Sequence, residues 1–322
     1  MLCIIQTSSD TYFNMAAEEY LLNSFTDEIF MLWQNDWTVV VGQYQNTLAE
    51  INLDFVKEKN VNVVRRLTGG GAVFHDAGNL NFTFIKNGVE PDFQRFTMPI
   101  IEALKNLGVD ARFEGRNDIS VDGKKVSGNA MLVSGKRILE HGTLLFSSKI
   151  ENLSAALKTS PLKFEDKAVK SVRSRVANIS DYLSSPMTVL DFRDEIMKYM
   201  FKNVSDCVNY SLDEKDIAAI TELRNSKYAT WDWNYGKSPD YAFSKTVRTS
   251  GGNVEIHLNT NKGVITGLKI YGDFFGDNIS HFESQFIGCQ HSQTAILAKL
   301  NEINPEKYIV NVRPEELIAG FF

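Results

Sequence analysis

The sequence predicts an α+β protein in which mixed, largely antiparallel sheets carry helices on their outside, followed by a small α/β domain. Three observations lead there. The chain has 322 residues, more than one hydrophobic core usually organises, which points to two domains. Short apolar runs bounded by turn residues dominate its first half. Turn dipeptides such as Asp122-Gly123 join neighbouring runs directly, as antiparallel hairpins require.

Taken in order, Leu2 to Gln6 reads as a strand and Asn14 to Phe25 as an amphipathic helix, with Ala17, Tyr20, Leu21 and Phe25 at helical spacing. Glu28 to Trp33 and Thr38 to Val41 are strands around an Asn-Asp turn, Leu53 to Lys59 is a short helix, and Val61 to Val64 is a buried strand. Pro99 to Leu107 reads as a helix ended near Gly108, and Val189 to Phe201 and Asp213 to Ser226 are helical by periodicity. Thr159 to Lys170 mixes Lys, Pro and acidic residues and reads as a loop that could close as a lid. Gly236 and Pro239 then punctuate the chain before strands near Asn253 to Leu258 and Gly263 to Tyr271 and a helix from Ser292 to Ile303. The expected domains are 1–240 and 241–322.

Between Asp118 and Phe146 the turns at Asp122-Gly123 and Ser134-Gly135 predict a three-stranded meander. In the tightest register Val121 pairs with Lys124, Ser120 with Lys125 and Asp118 with Ser127. Strand parity then gathers Asp118, Ser120, Lys125, Ser127 and Asn129 on one face, either a solvated face or a reactive row. A bulge near either turn would break this register.

Bulk properties exclude several classes. With 34 basic against 40 acidic residues the net charge is −6, which argues against nucleic acid as a partner. No apolar run approaches the roughly 20 residues needed to span a bilayer, and the start MLCIIQTSSD lacks a secretion signal. Three scattered cysteines, Cys3, Cys207 and Cys289, form no CxxC pair and fit a reducing cytoplasm. His75 and His141 lack further ligands at metal-site spacing, so they are no zinc pair.

The run RRLTGGGAVFHDAGNLN from Arg65 to Asn81 sets two arginines against three glycines. Gly69, Gly70 and Gly71 take Cβ atoms out of a turn, which lets backbone amides approach an anion, and an Arg fork suits phosphate oxygens. Alone, such a run can also be a tight corner. Neither GxxxxGK[ST] nor GxGxxG occurs after a strand, so the common nucleotide motifs are absent.

That run, together with GRND at Gly115 to Asp118, KVSGNA at Lys125 to Ala130, HGTLL at His141 to Leu145, SVRSRVAN at Ser171 to Asn178, the early NMAAEEY and the late WDWNYG, resembles the lipoate-protein ligase family. The resemblance spans nearly the whole chain. It implies a biotin/lipoate-ligase-like catalytic domain with a small accessory domain, and a two-step reaction. Lipoate and ATP give lipoyl-AMP and pyrophosphate; the lipoyl group then passes to a lysine of an acceptor. By the same resemblance Lys125 is catalytic, and Arg66, Lys125 and the backbone of Gly71, Ala72, Val73 and Phe74 contact ATP. Lys125, Trp33, Arg66, Thr68 and His75 line the lipoate site, although a plain core role is open for Trp33. Mg²⁺ arrives with ATP, with Asp118 as its protein partner or as a structural hydrogen-bonding group. Arg173 and Arg175 belong either to binding or to a solvated loop. The implied acceptors are lipoyl domains of oxo-acid dehydrogenase complexes and the glycine-cleavage H protein, with no nucleic acid and no membrane, and the protein is expected to be a monomer. The alternatives are a cysteine-dependent octanoyl or lipoyl transferase, a biotin ligase, and a non-catalytic lipoate-binding protein.

Overall fold

The computed structural model describes residues 1–88, 90–157, 175–235, 243–261 and 263–322. The expected lid from Thr159 to Lys170, Arg173, and the punctuation at Gly236 and Pro239 lie outside these residues.

Strands β1 (Leu2–Ile5), β2 (Ile29–Trp33), β3 (Thr38–Val41), β4 (Asn62–Arg65), β5 (Val73–His75), β6 (Asn79–Asn87), β7 (Arg112–Glu114), β8 (Asp118–Val121), β9 (Lys124–Ser134), β10 (Arg137–Leu145) and β11 (Val208–Asn209) build two sheets. The larger has eight strands in the order β11-β1-β2-β6-β10-β9-β8-β7, the smaller the order β4-β3-β5. β1 runs parallel to both neighbours, while the other described pairings are antiparallel.

Alternation along the strands gives the large sheet two different faces. One carries Leu80, Phe82 and Phe84 from β6 and Ile138 and Leu144 from β10, packed with Phe96, Ile100 and Leu104 of helix Phe93–Asn106 and Phe192, Ile196 and Met200 of helix Val189–Asn203. The opposite face carries Met31, Trp33, Ile85 and Leu139 against Met15, Ala17 and Leu21 of helix Thr11–Ser24. β2 is buried on both faces, which explains its unbroken apolar run.

Local signals explain most boundaries. Asp10 accepts from the amides of Tyr12 and Phe13, so the first helix begins ahead of the expected Asn14. Asp92 caps helix Phe93–Asn106 in the same way and leaves Pro99 inside it, where the sequence predicted a start at Pro99. Helix Glu214–Leu223 opens with a capping box from Asp213 to Asp216, then passes into a π-helical turn at Arg224–Tyr228. Asp122 and Gly123 both adopt positive φ, 50° and 71°, as a two-residue hairpin turn demands.

The predicted meander exists, but its register needs one correction. Val121 pairs with Lys124 and Ser120 with Lys125 as expected; Asp118 pairs with Gly128 instead of Ser127, because the ladder shifts between Ile119 and Ser120. The chain forms two units. The first comprises Met1–Val40, Glu50–Arg65 and Val73–Asn234, and the second Val41–Ala49, Arg66–Ala72 and Tyr235–Phe322. In the second, β12 (Phe243–Thr249), β13 (Gly252–Asn261) and β14 (Val264–Gly272) form an antiparallel sheet backed by helix Gln293–Ile303 through Ile256, Leu268, Ile270, Ile296 and Leu300. No described helix is long and apolar enough to cross a membrane.

Glu140 is an anomaly of the first core. It is fully buried on β10 between Phe84 and Met131, and neither carboxyl oxygen has a hydrogen-bond partner among the described residues. Burial pushes its ionisation well above the usual carboxylate range, Asp92 adds to this, and Lys86 opposes it. The folded state therefore holds a proton that the unfolded chain releases, and stability falls as pH rises above about 4.3. Glu140→Met should raise Tm at neutral pH, and the gain should shrink as pH falls toward about 4 in parallel thermal melts.

Candidate functional site

The shifted ladder decides what faces the site. Val126 and Ser127 both turn to the apolar core, so Asp118 and Lys125 come together on the opposite face. There Lys125 Nζ lies 2.7 Å from Asp118 Oδ1, with side chains 41% and 35% exposed. Gly128 makes this possible, since a Cβ at that position would fall 2.7 Å from Lys125 Nζ. Lys124, by contrast, is exposed beside the turn.

Ser127 and Asn129 therefore leave the predicted polar row. Asn129 is buried and exchanges amide hydrogen bonds with Asn117, donating to Asn117 O at 2.8 Å. Gly142 of the HGTLL block leaves room for it, because a Cβ there would meet Asn129 Oδ1 at 2.0 Å. The end of the SVRSRVAN block also reaches the lysine: Val176 bridges to Lys125, and Ala177 N donates to Lys125 O at 3.0 Å. Arg175, next to it, is exposed.

The same sheet face continues as a wall of buried polar and aromatic groups. Trp33 Nε1 donates to Thr83 Oγ1 at 2.9 Å, Thr83 Oγ1 donates to Glu18 Oε1 at 2.6 Å, and His141 Nδ1 lies 2.9 Å from the same oxygen. His75 packs edge-on to Trp33 with ring centroids 6.2 Å apart. Its Nε2 is 2.8 Å from Thr143 Oγ1 and its Nδ1 is 3.1 Å from Asn35 Nδ2. Trp33 and His75 are thus brought together in the first unit. Glu18, Asn35, Asn81, Thr83 and Thr143 were not singled out from sequence. A signal existed: Asn79, Asn81 and Thr83 alternate with Leu80, Phe82 and Phe84, so polar residues recur with period two in a strand buried along most of its length.

Arg65 and Arg66 diverge. Arg65 is fully buried in the first unit and donates from Nε to Trp233 O at 3.1 Å, while its backbone amide donates to Asn234 Oδ1 at 2.8 Å. Packing explains it, contrary to the sequence reading, and explains the conspicuous WDWN run as its clamp. Arg66, in the second unit, folds back on its own loop: Nε donates to Thr68 Oγ1 at 2.9 Å, and Nη2 to Gly69 O at 2.6 Å and Gly71 O at 2.9 Å.

The three glycines also differ. A Cβ at Gly69 would lie 2.4 Å from Phe274 O, and Gly70 has φ +91° with its amide donating to Phe274 O at 3.0 Å. Both are required by packing. Gly71 has no such need, its nearest neighbour being Asp273 Cβ at 3.7 Å. Among the described residues the amides of Gly71 and Ala72 donate to no acceptor. Adjacent uncommitted amides suit an anion. Val73 and Phe74 belong to β5 in the first unit, paired with Val40 and Val39. No described group of three His, Cys, Asp or Glu side chains could hold a metal ion, and Asp118, the expected Mg²⁺ partner, has its Oδ1 against Lys125 Nζ.

Residues 10–201 match the family described as Lipoyl protein ligase A/B catalytic domain, and residues 238–321 that described as Bacterial lipoate protein ligase C-terminus. The chain is 41% identical to Lipoate-protein ligase LplJ of Bacillus subtilis over 321 residues, covering 97% of each. It is 40% identical to Lipoate--protein ligase 1 of Staphylococcus aureus, covering 96% of each. Its structure is similar to that of P. falciparum LipL1 in complex with lipoate, with a TM-score of 0.80, 27% identity, and coverage of 96% of this chain and 95% of that one. A lipoate-protein ligase A bound with ATP matches with a TM-score of 0.65 and 28% identity over 73% of this chain and 98% of that one. The bipartite ligase of Thermoplasma acidophilum, described with its E2 lipoyl domain, matches with a TM-score of 0.66 and 30% identity over 75% of this chain and 98% of that one. With its sequence blocks, its sheet architecture and these relatives in agreement, the chain belongs to the lipoate-protein ligase family.

Proposed function

We propose that this chain is an ATP-dependent lipoate-protein ligase that converts lipoate and ATP to lipoyl-AMP and pyrophosphate, then transfers the lipoyl group to a lysine of an acceptor protein. The observation that carries this reading is the half-exposed Lys125 ammonium, held by Asp118 beside a buried aromatic and polar wall. Relatives described with lipoate and with ATP support it.

Attack of a carboxylate on the α-phosphate brings two anions together. An ammonium about 4 Å away stabilises such charge by roughly 4 kcal/mol at an effective dielectric near 20. Acting mainly on the transition state, that is about a thousandfold in rate. Trp33 and His75 supply the wall for the lipoate tail and dithiolane, with Arg66 and Thr68 completing the lipoate site. Arg66, Lys125 and the amides of Gly71, Ala72, Val73 and Phe74 take the nucleotide. Mg²⁺ neutralises phosphate charge when bound, held mostly by phosphate oxygens with Asp118 as its protein partner.

The acceptors in this reading are lipoyl domains of oxo-acid dehydrogenase complexes and the glycine-cleavage H protein. The E2 lipoyl domain named with the archaeal relative supports the first. Residues 1–240 form the catalytic domain and 241–322 the accessory one, in a cytoplasmic monomer. A cysteine-dependent transferase is less well supported: Cys3 is buried in the core on the opposite sheet face, Cys207 packs against that core, and Cys289 lies in the second unit.

The deciding experiment is lipoate-dependent pyrophosphate release from ATP without any acceptor, followed by lipoyl transfer to a panel of purified acceptors. No release from folded protein would sink the reading. Lys125→Ala should lower release about a thousandfold with Tm nearly unchanged, because a half-exposed pair contributes little to stability. Lys124→Ala should stay near wild type, and equal losses in both would refute the assignment.

Gly128→Ala should fold, since only the flexible end of Lys125 must move. Its displaced ammonium should cost about a hundredfold in adenylation. Gly71→Ala has room for its Cβ and should keep its Tm while losing nucleotide affinity by calorimetry. Gly70→Ala, at positive φ, should lose stability by about 1 kcal/mol or more.

A further inference from the structure

The hydrogen bonds around His75 have a fixed direction that can be traced from the backbone. Asn14 Nδ2 is 3.0 Å from Ser8 O and 2.7 Å from Gln34 O, and both carbonyls can only accept. The orientation of the Asn14 amide is therefore set. Asn14 Nδ2 shares its two hydrogens among three acceptors and has no lone pair to accept with, so the atom of Asn35 that faces it at 3.0 Å is Oδ1 and not Nδ2, which turns Asn35 Nδ2 toward His75 Nδ1 at 3.1 Å. An amide nitrogen only donates, so Nδ1 must offer a lone pair. The remaining imidazole proton is then on Nε2, donated to Thr143 Oγ1 at 2.8 Å. Thr143 passes its own hydroxyl proton to Asn81 Oδ1 at 2.9 Å. Asn14, Asn35, His75 and Asn81 are all nearly inaccessible to solvent.

We propose that Asn35 is a positioning residue that holds His75 as the uncharged Nε2–H tautomer, so that His75 gives the lipoate wall a fixed ring edge and a hydrogen-bond donor but no charge. Only the kinetic consequence rests on the ligase reading. Among the described residues, the ion pairs on this sheet face include Glu18 with His141 and Lys125 with Asp118. Asp76, next in the chain, accepts from the amides of Gly78 and Lys149, and β3 presents Thr38 opposite His75. An imidazolium at His75 would add positive charge where Lys125 supplies it.

Long-range ¹H–¹⁵N NMR of the wild-type imidazoles, with His75 assigned by comparison with His75→Gln, reads the tautomer without any assay of activity. The expected result is a bare Nδ1 and a protonated Nε2 from about pH 6 to 8. A protonated Nδ1 in that range overturns the proposal whether or not the protein is a ligase. Asn35→Asp supplies the kinetic arm. Its carboxylate can only accept, so it draws a proton onto Nδ1 and raises the imidazole's ionisation. Below that ionisation Nε2 still donates to Thr143; above it the single proton stays on Nδ1 and the donor is lost. kcat/KM for pyrophosphate release should fall about tenfold as pH rises through it. Wild type and the Asn35→Asp/His75→Gln double variant should lack this limb. A flat profile in folded Asn35→Asp, or the same limb in the double variant, overturns the proposal; should Asn35→Asp fail to fold, the wild-type spectrum decides alone.

Discussion

One extra residue in β9 governs the whole arrangement. Strict alternation would carry Lys125 onto the same face as Ser127 and Asn129, which points into the core beneath Phe82 and Leu144. An ammonium there would lose its hydration without gaining a partner, a cost of several kcal/mol. The bulge at Val126 and Ser127 removes this conflict by turning both residues inward and leaving Lys125 with Asp118 on the open side. Two glycines follow from the same geometry on opposite faces: Gly128 leaves space for Lys125, and Gly142 leaves space for Asn129.

Much of the fold was legible because local rules were obeyed. Asp122-Gly123 took the positive φ pair that its turn needs, β3 appeared with the bounds its apolar run suggested, and Ser292 caps its helix. Charge alone did not single out Lys125, since Lys124 beside it carries the same charge; the KVSG block did, and strand parity rightly put Lys125 on one face with Asp118. The site was not legible where polar groups are used in burial. Arg65 and Arg66 are adjacent and identical in type, yet Arg65 closes a core clamp on Trp233 and Asn234 while Arg66 braces the carbonyls of its own loop. Only long-range contacts distinguish them. The bulge is equally silent, since KKVSGN reads as an ordinary alternating strand until the ladder is drawn. Glu18 and His141 lie 123 positions apart, so no window on the sequence could pair them.

Two kinds of polar group emerge on the sheet face that carries Lys125, and burial separates them. The chains through Trp33, Thr83 and Glu18 and through Asn35, His75 and Thr143 are shielded from water, so each bond is strong and its loss would leave an unpaired group at about 1–3 kcal/mol. Such networks are rigid and suit a wall whose shape must persist. The Lys125–Asp118 pair is open to solvent, where ion pairs contribute about 0–1 kcal/mol.

That small value is what a ligase would need at this position. A lysine on an exposed strand without a partner spreads over many rotamers, and ordering it costs up to about 2 kcal/mol. Asp118 narrows that spread over the space left by Gly128. In the proposed reaction, the weakness of the pair would let a carboxylate or phosphate with more charge replace Asp118 as the ammonium's partner at little cost. In the proposed reaction the Asp118 carboxylate would then be the protein group offered to a cation bound with the phosphates. For the role proposed for Lys125, a buried pair with Asp118 would be held too tightly to exchange, and an unpaired lysine would be too disordered to act. The half-exposed geometry set by the bulge meets both requirements.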